Sequence, residues 1–247
     1  MPAPAPCIRS SRTPTSTATP WKVLFFPHSG GSAGSYQDLA SRLTGIAETA
    51  CVEYPGRGER RREPLFTDVH ALADEVAEAF AAWRKDRPVI LFGHSLGATV
   101  AYEVIRRSPD HQHLTLVASG HVAPSRLNLP PMNDEGPDEP LIELVSSLGG
   151  EAPAILDHPV LRQLFLPVIH SDLSAHGRYL PEPGSAISCP VIALRGDADP
   201  LTNAIDVHAW QHHTSSEFRA HTFAGDHFFT TQHSEAVADI LRAAMTA

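Results

Sequence analysis

The stretch Pro88–Ala101, "PVILFGHSLGATVA", decides the fold. Its first half is a continuous apolar run rich in β-branched residues, as expected of a parallel strand buried on both faces. Its second half opens an apolar-periodic segment that continues to Arg107 and reads as a helix over Leu96–Arg107. Between them lies Gly93-His94-Ser95-Leu96-Gly97, a G-x-S-x-G pattern in strand–turn–helix context. So sharp a turn strains the serine backbone, and side chains at positions 93 and 97 would collide with neighbouring backbone. The Ser95 hydroxyl is thereby held above a sheet, at a helix N-terminus, where the dipole and unpaired N–H groups favour developing negative charge. With 16 glycines and 20 serines in 247 residues, random order gives roughly 0.08 such matches per chain.

Outward from this stretch the chain alternates strand-like and helix-like patterns, the mark of an α/β fold with a mainly parallel sheet. Strands are expected at Lys22–Pro27, Thr49–Tyr54, Pro88–Phe92, Leu114–Ala118, Val191–Leu194 and Phe218–Phe223. Thr67–Trp83 carries Val69, Leu72, Val76, Phe80 and Trp83 at steps of three and four, one buried helical stripe. Glu235–Met245 reads as a helix with Ser234 as N-cap. From about 121 to 188 the strand signal stops. A segment rich in Pro and acid leads into helical stretches at Leu141–Leu148 and Val160–His176, an all-helical insertion. Residues 1–20, rich in Pro, Ala, Ser and Thr, read as a flexible tail, leaving one α/β domain over 21–247.

Composition narrows the function. No apolar run approaches the ~20 residues of a membrane span. A net charge of −9 argues against bulk nucleic-acid binding, which depends on clustered Lys and Arg. Cys7, Cys51 and Cys189 are scattered and form no CxxC, so neither a disulfide framework nor a cysteine zinc site is indicated and a reduced, cytoplasmic setting is expected. The N-terminus lacks the apolar stretch of a secretory signal.

A serine nucleophile needs a base, and the base an orienting carboxylate. On this kind of turn the chain order is Ser, Asp or Glu, then His. The late strand runs into Asp197-Ala198-Asp199-Pro200, and "FAGDHFF" places His227 between the last strand and last helix. Ser95, Asp199 and His227 are therefore the catalytic candidates, with Asp197 a loop residue that hydrogen-bonds backbone. Of the 15 histidines, His94 reads as packing beside the sheet, and His111, His113, His208, His212 and His213 carry no partner motif. An oxyanion hole would take one N–H from Leu96 and another from the glycine-rich loop Pro27–Gly34, with Ser29 as its candidate donor. Such chemistry needs no metal or organic cofactor.

These pieces resemble a family. "FFPHSGGSAGSY" (25–36), "VEYPGRGERRREP" (52–64), "LFGHSLGATVAYEV" (91–104), "HSDLSAHGRY" (170–179), "CPVIALRGDADPLT" (189–202) and "FAGDHFFT" (223–230) are similar to the stand-alone type II thioesterases of polyketide and non-ribosomal peptide synthases, within the α/β-hydrolase superfamily. The Tyr54–Pro64 segment is the most discriminating, since generic esterases lack it. The resemblance implies an α/β-hydrolase fold in which the 121–188 insertion is a lid over an acyl chamber. It implies Ser95 as nucleophile, His227 as base, Asp199 as orienting acid, and Ser29 and Leu96 as oxyanion donors. The substrate would be an acyl group on the phosphopantetheine arm of an acyl or peptidyl carrier protein, removed by a monomeric enzyme to clear stalled synthases. Two features depart from the family pattern: Ser29, where Ala is usual, and a lid segment that is unusually polar and histidine-bearing.

Arg57, Arg60, Arg61 and Arg62 form a basic run that would dock an acidic carrier protein, or else a solvated or internally paired loop with Glu59 and Glu63 as neighbours. A product-releasing thioesterase or cyclase, or a general carboxylesterase, would share the fold and triad. A non-catalytic binding protein of this fold would be expected to have lost a triad member, and none is missing.

Overall fold

The computed structural model describes residues 7–10, 19–129, 138–150, 152–182, 184 and 186–246. Seven strands, β1 (Ile8–Ser10), β2 (Trp21–Phe26), β3 (Ala47–Val52), β4 (Val89–His94), β5 (Leu114–Ser119), β6 (Val191–Gly196) and β7 (Phe218–Phe223), form one sheet in the order β1-β3-β2-β4-β5-β6-β7. All neighbouring pairs are parallel except β1 with β3. The helices are α1 (Gln37–Ser41), α2 (Val69–Arg84), α3 (Leu96–Arg107), α4 (Glu139–Ser147), α5 (Ala152–Asp157), α6 (Pro159–Gly177), α7 (Ala204–His208), α8 (Phe229–Gln232) and α9 (Ser234–Ala244).

Alternation along the central strands builds two cores. Leu24, Phe26, Val89 and Leu91 face the layer of α2 and α3, while Val23, Phe25, Ile90 and Phe92 face the layer of α1 and α9. This is why Val23–Phe26 of β2 and Val89–Phe92 of β4 are apolar throughout: neither face meets water. Following the chain from β2, β3 is added on one side and β4 on the other, so the strand order reverses between β2 and β4. Their C-terminal ends, carrying Pro27–Gly31 and His94-Ser95, open onto that switch point, where sheets of this class bind ligands. In the insertion, α4, α5 and α6 share a small core of Leu141, Val145, Leu156, Leu166 and Ile169. No helix among the described residues is long and apolar enough to cross a membrane.

Two expectations need correction. Part of the segment read as a flexible tail is ordered: Ile8–Ser10 pairs antiparallel with Ala50–Val52, and Glu53 N–H donates to Cys7 C=O at 2.8 Å. The otherwise open edge of β3 supplies the hydrogen bonds, and Arg9 adds an ion pair to Glu53 at 3.0 Å. Ser234 is not the N-cap of α9; His233 flanks the helix and Ser234 is its first residue. Its hydroxyl and then Arg42 bond Asp38 of α1, holding that carboxyl below its usual range.

Candidate active site

The turn after β4 has the geometry its glycines demand. A Cβ on Gly93 would lie 2.2 Å from Gly97 O, and one on Gly97 2.0 Å from Phe26 O. Ser95 sits at φ 54°, ψ −125°, a strained conformation for a residue with a Cβ. Its N–H donates to Ser119 C=O at 2.8 Å, fixing the turn to β5. Leu96 is the first residue of α3, so its N–H has no acceptor within the helix.

Asp199 follows β6 and His227 follows β7. Nδ1–H of His227 donates to Asp199 Oδ2 at 2.8 Å, which leaves Nε2 as the ring's free base. Asp199 Oδ1 accepts from Leu201 N–H at 2.9 Å, and both side chains are buried. Asp197 takes the expected structural part: its carboxylate accepts from Gly225 N–H at 2.9 Å, tying the two loops together.

Rings crowd the histidine. His94 lies 4.9 Å and Phe228 5.2 Å from the His227 ring, centroid to centroid, and His28 lies 5.1 Å from Phe228. Burial pushes His28 down to about 4 and His94 well below its ordinary value, so both are neutral neighbours. His94 Nδ1 meets Ser119 Oγ at 3.0 Å, in keeping with a packing residue.

The lid meets this site through polar groups. Arg57 grips Asp172 of α6 with two bonds of 2.7 Å, and Asp172 Oδ2 also accepts from Gly30 N–H at 2.8 Å. Burial raises the Asp172 carboxyl, opposed by the guanidinium and the Gly30 amide. Farther along α6, His176 Nε2 meets Thr99 Oγ1 at 3.0 Å, and the same oxygen meets His121 Nε2 at 2.7 Å. Reasoning from sequence missed both contacts. A signal was present: Asp172 and His176 continue the buried stripe of Leu166 and Ile169 at steps of three and four.

The four arginines separate. Arg57 is buried against Asp172, and Arg60 is buried against Glu63 at 2.6 Å and Glu75 at 2.7 Å, so neither belongs to a solvated docking patch. Both guanidiniums are spent on internal carboxylates. Arg61 and Arg62 are exposed. A cleft of about 460 Å³ beside α6 is lined by Leu65, Thr67, Leu166, His170 and Ser174, none of them a triad candidate. Among the described residues, no three His, Cys, Asp or Glu side chains are grouped to hold a metal ion.

A seven-stranded, mainly parallel sheet, a strained serine turn at its switch point and a helical insertion above it define an α/β-hydrolase. The chain belongs to the thioesterase family, whose Thioesterase domain matches residues 22–245, and is a thioester hydrolase. It is 35% identical over 211 residues to Thioesterase PikA5 of Streptomyces venezuelae, covering 84% of this chain and 75% of that protein. It is 34% identical over 218 residues to the "Probable cadicidin biosynthesis thioesterase" of Streptomyces griseus, covering 87% of this chain but only 60% of that protein. The type II thioesterase BorB from the borrelidin biosynthetic cluster superposes with a TM-score of 0.84 at 34% identity, covering 96% of each chain.

Proposed function

We propose that Ser95, His227 and Asp199 are the catalytic residues of an editing thioesterase that clears acyl groups from the phosphopantetheine arms of polyketide or non-ribosomal peptide carrier proteins. The observation that carries this is the His227–Asp199 bond at 2.8 Å, made between the loops that follow β7 and β6, in a sheet whose strand β4 ends in the strained Ser95 turn. Ser95 Oγ attacks the thioester carbonyl while His227 Nε2 takes its proton. Asp199 holds the ring in the needed tautomer and stabilises the imidazolium. Amides of Leu96 and Ser29 hold the tetrahedral oxyanion, and His227 returns the proton to the departing thiol. Water, deprotonated by the same nitrogen, then releases the acid from acyl-Ser95 and frees the serine. Acid and thiol are the only products.

The relatives' placement in biosynthetic clusters supports carrier-bound substrates and a cytoplasmic setting, and no cofactor enters the scheme. The test is hydrolysis of acyl thioesters from acetyl to decanoyl, each on a carrier protein and on a small thiol. Slow, broad turnover favouring carrier-bound short chains, with Ser95→Ala reducing kcat by at least ~10⁴-fold, is the expected result. Fast turnover of one long chain would assign product release instead, and activity on oxygen esters alone would assign a carboxylesterase.

Arg61 and Arg62 are the members of the basic run left to meet an acidic carrier protein. Reversing both to Glu is expected to raise KM for a carrier-bound substrate about 3–10-fold and to spare a small thioester. Equal effects on the two substrates would remove these residues from docking.

A further inference from the structure

The loop that carries Ser29 is fixed peptide by peptide. The carbonyl of the His28–Ser29 peptide accepts from Gly31 N–H at 2.8 Å. No peptide is cis among the described residues, so Ser29 N–H points away from that carbonyl. The next peptide is held at both ends: His28 Nδ1–H donates to Ser29 C=O at 2.9 Å, and Gly30 N–H donates to Asp172 Oδ2 at 2.8 Å. Only the last of these bonds comes from outside the loop, and it comes from the lid.

Asp172 is itself immobilised. Arg57 binds both its oxygens, donates to Pro55 C=O and Gly31 C=O at 3.3–3.4 Å, and lies over the rings of Tyr54 and Phe66. Contact between α6 and the loop is direct. Gly30 has φ +74°, and a Cβ there would sit 2.5 Å from Ile169 Cγ1. Lifting this part of α6 withdraws the acceptor from Gly30 and leaves the peptides on either side of Ser29 held only by the loop's own bonds from His28 and Gly31.

We propose that Asp172, held by Arg57, is a positioning residue that aims Ser29 N–H, so that the second oxyanion donor is in place only while this part of α6 is seated on the loop. The proposal rests on the reading of Ser29 as an oxyanion donor. A polar lid contact then does more than close the site: it completes it, and a lifted lid leaves the serine with one donor.

Two double variants test this, both replacing the buried charge pair by neutral groups, a change often tolerated by folding. Arg57→Met/Asp172→Leu removes the acceptor for Gly30, whereas Arg57→Met/Asp172→Asn retains an amide oxygen there. On a small acyl thioester, the Leu variant is expected to lose about 10–100-fold in kcat with KM within about 3-fold, less than outright removal of a donor. Its affinity for a trifluoromethyl ketone, which forms an oxyanion on the serine, should fall by a similar factor. The Asn variant should recover most of both. Urea denaturation of each variant reports folding separately. A folded Leu variant with parental kcat and ketone affinity, a loss confined to KM, or a folded Asn variant as impaired as the Leu variant would each overturn the proposal. Should the Leu variant not fold, the Asn variant still decides: retained kcat supports the assignment and a large loss refutes it. Ser95→Ala separates the two readings, because activity surviving in that variant refutes the catalytic assignment itself.

Discussion

The two halves of α6 are held by different forces. Beyond Pro167 the helix is pinned by directional contacts: Ser171 Oγ to Phe66 C=O at 2.9 Å, Asp172 to Arg57 and Gly30, and His176 to Thr99. Just past its end, Tyr179 OH donates to Glu103 at 2.8 Å. Before Pro167, Val160 and Leu164 are 58% and 63% exposed, and Phe165 is also exposed. Pro167 separates these regimes, since it has no N–H to bond Gln163 C=O. Buried polar contacts have one good geometry and specify one seating, while an apolar surface tolerates many. The lid is thus fixed where it touches the site and loose where it faces outward.

The largest way to break this contrast lies under the pinned half. Glu103 is fully buried and binds Arg106 at 2.8 Å, Arg107 at 2.5 Å and Tyr179. Glu103→Ala takes the acceptor from Tyr179 and leaves the two arginines only the exposed carboxylates of Glu182 and Asp74, and should cost about 3–5 kcal/mol in urea denaturation. A loss below 1 kcal/mol would mean the anchoring comes from packing alone.

Acid sharpens the contrast through the pinned half's histidines. Burial holds His176 down to about 3 and His121 well below its ordinary value. Below about pH 6.5 the unfolded chain therefore binds protons that the native state refuses, so stability falls with falling pH. For His176 the slope is about 1.4 kcal/mol per pH unit down toward pH 3, where native protonation ends it. Urea midpoints at pH 7 and pH 5, for the parent and for His176→Gln, check this: the substitution should flatten the profile by that amount, and an unchanged slope would place the titration elsewhere.

The smallest effect belongs to the free half. Leu164→Ser should shift stability by less than about 0.5 kcal/mol, because its side chain already meets water. A shift of several kcal/mol would show that this face is packed in solution.

What could be read from sequence divides along the same physical line. The central strands announce themselves through unbroken apolar runs, and Phe218–Phe223 and Leu96–Arg107 match the observed elements residue for residue. The strained turn at Ser95 was legible because it is a local feature, and the pairing of Asp199 with His227 because both residues follow strands in the expected order. What stayed hidden depends on partners far along the chain. Arg57 meets Asp172 115 residues later, so nothing beside it distinguishes a buried clamp from a docking arginine. Ile8–Ser10 becomes a strand through the free edge of β3 and not through its own propensity. The short helix α5 went unread for the same reason: six residues become helical by packing Leu156 into the lid core.

The three cysteines acquire meaning from the reaction. Cys7, Cys51 and Cys189 are free and buried, and burial pushes Cys7 up to about 11, Cys189 up to about 12 and Cys51 higher still. At neutral pH almost none of their sulfur is thiolate, the form that exchanges with thioesters and disulfides. An enzyme that liberates a thiol at every turnover therefore offers it no sulfur to trade with. Burial and the scarcity of thiolate disfavour acyl transfer to a cysteine and mixed-disulfide formation, and a thiol-detecting dye added to the folded protein is expected to report chiefly the product.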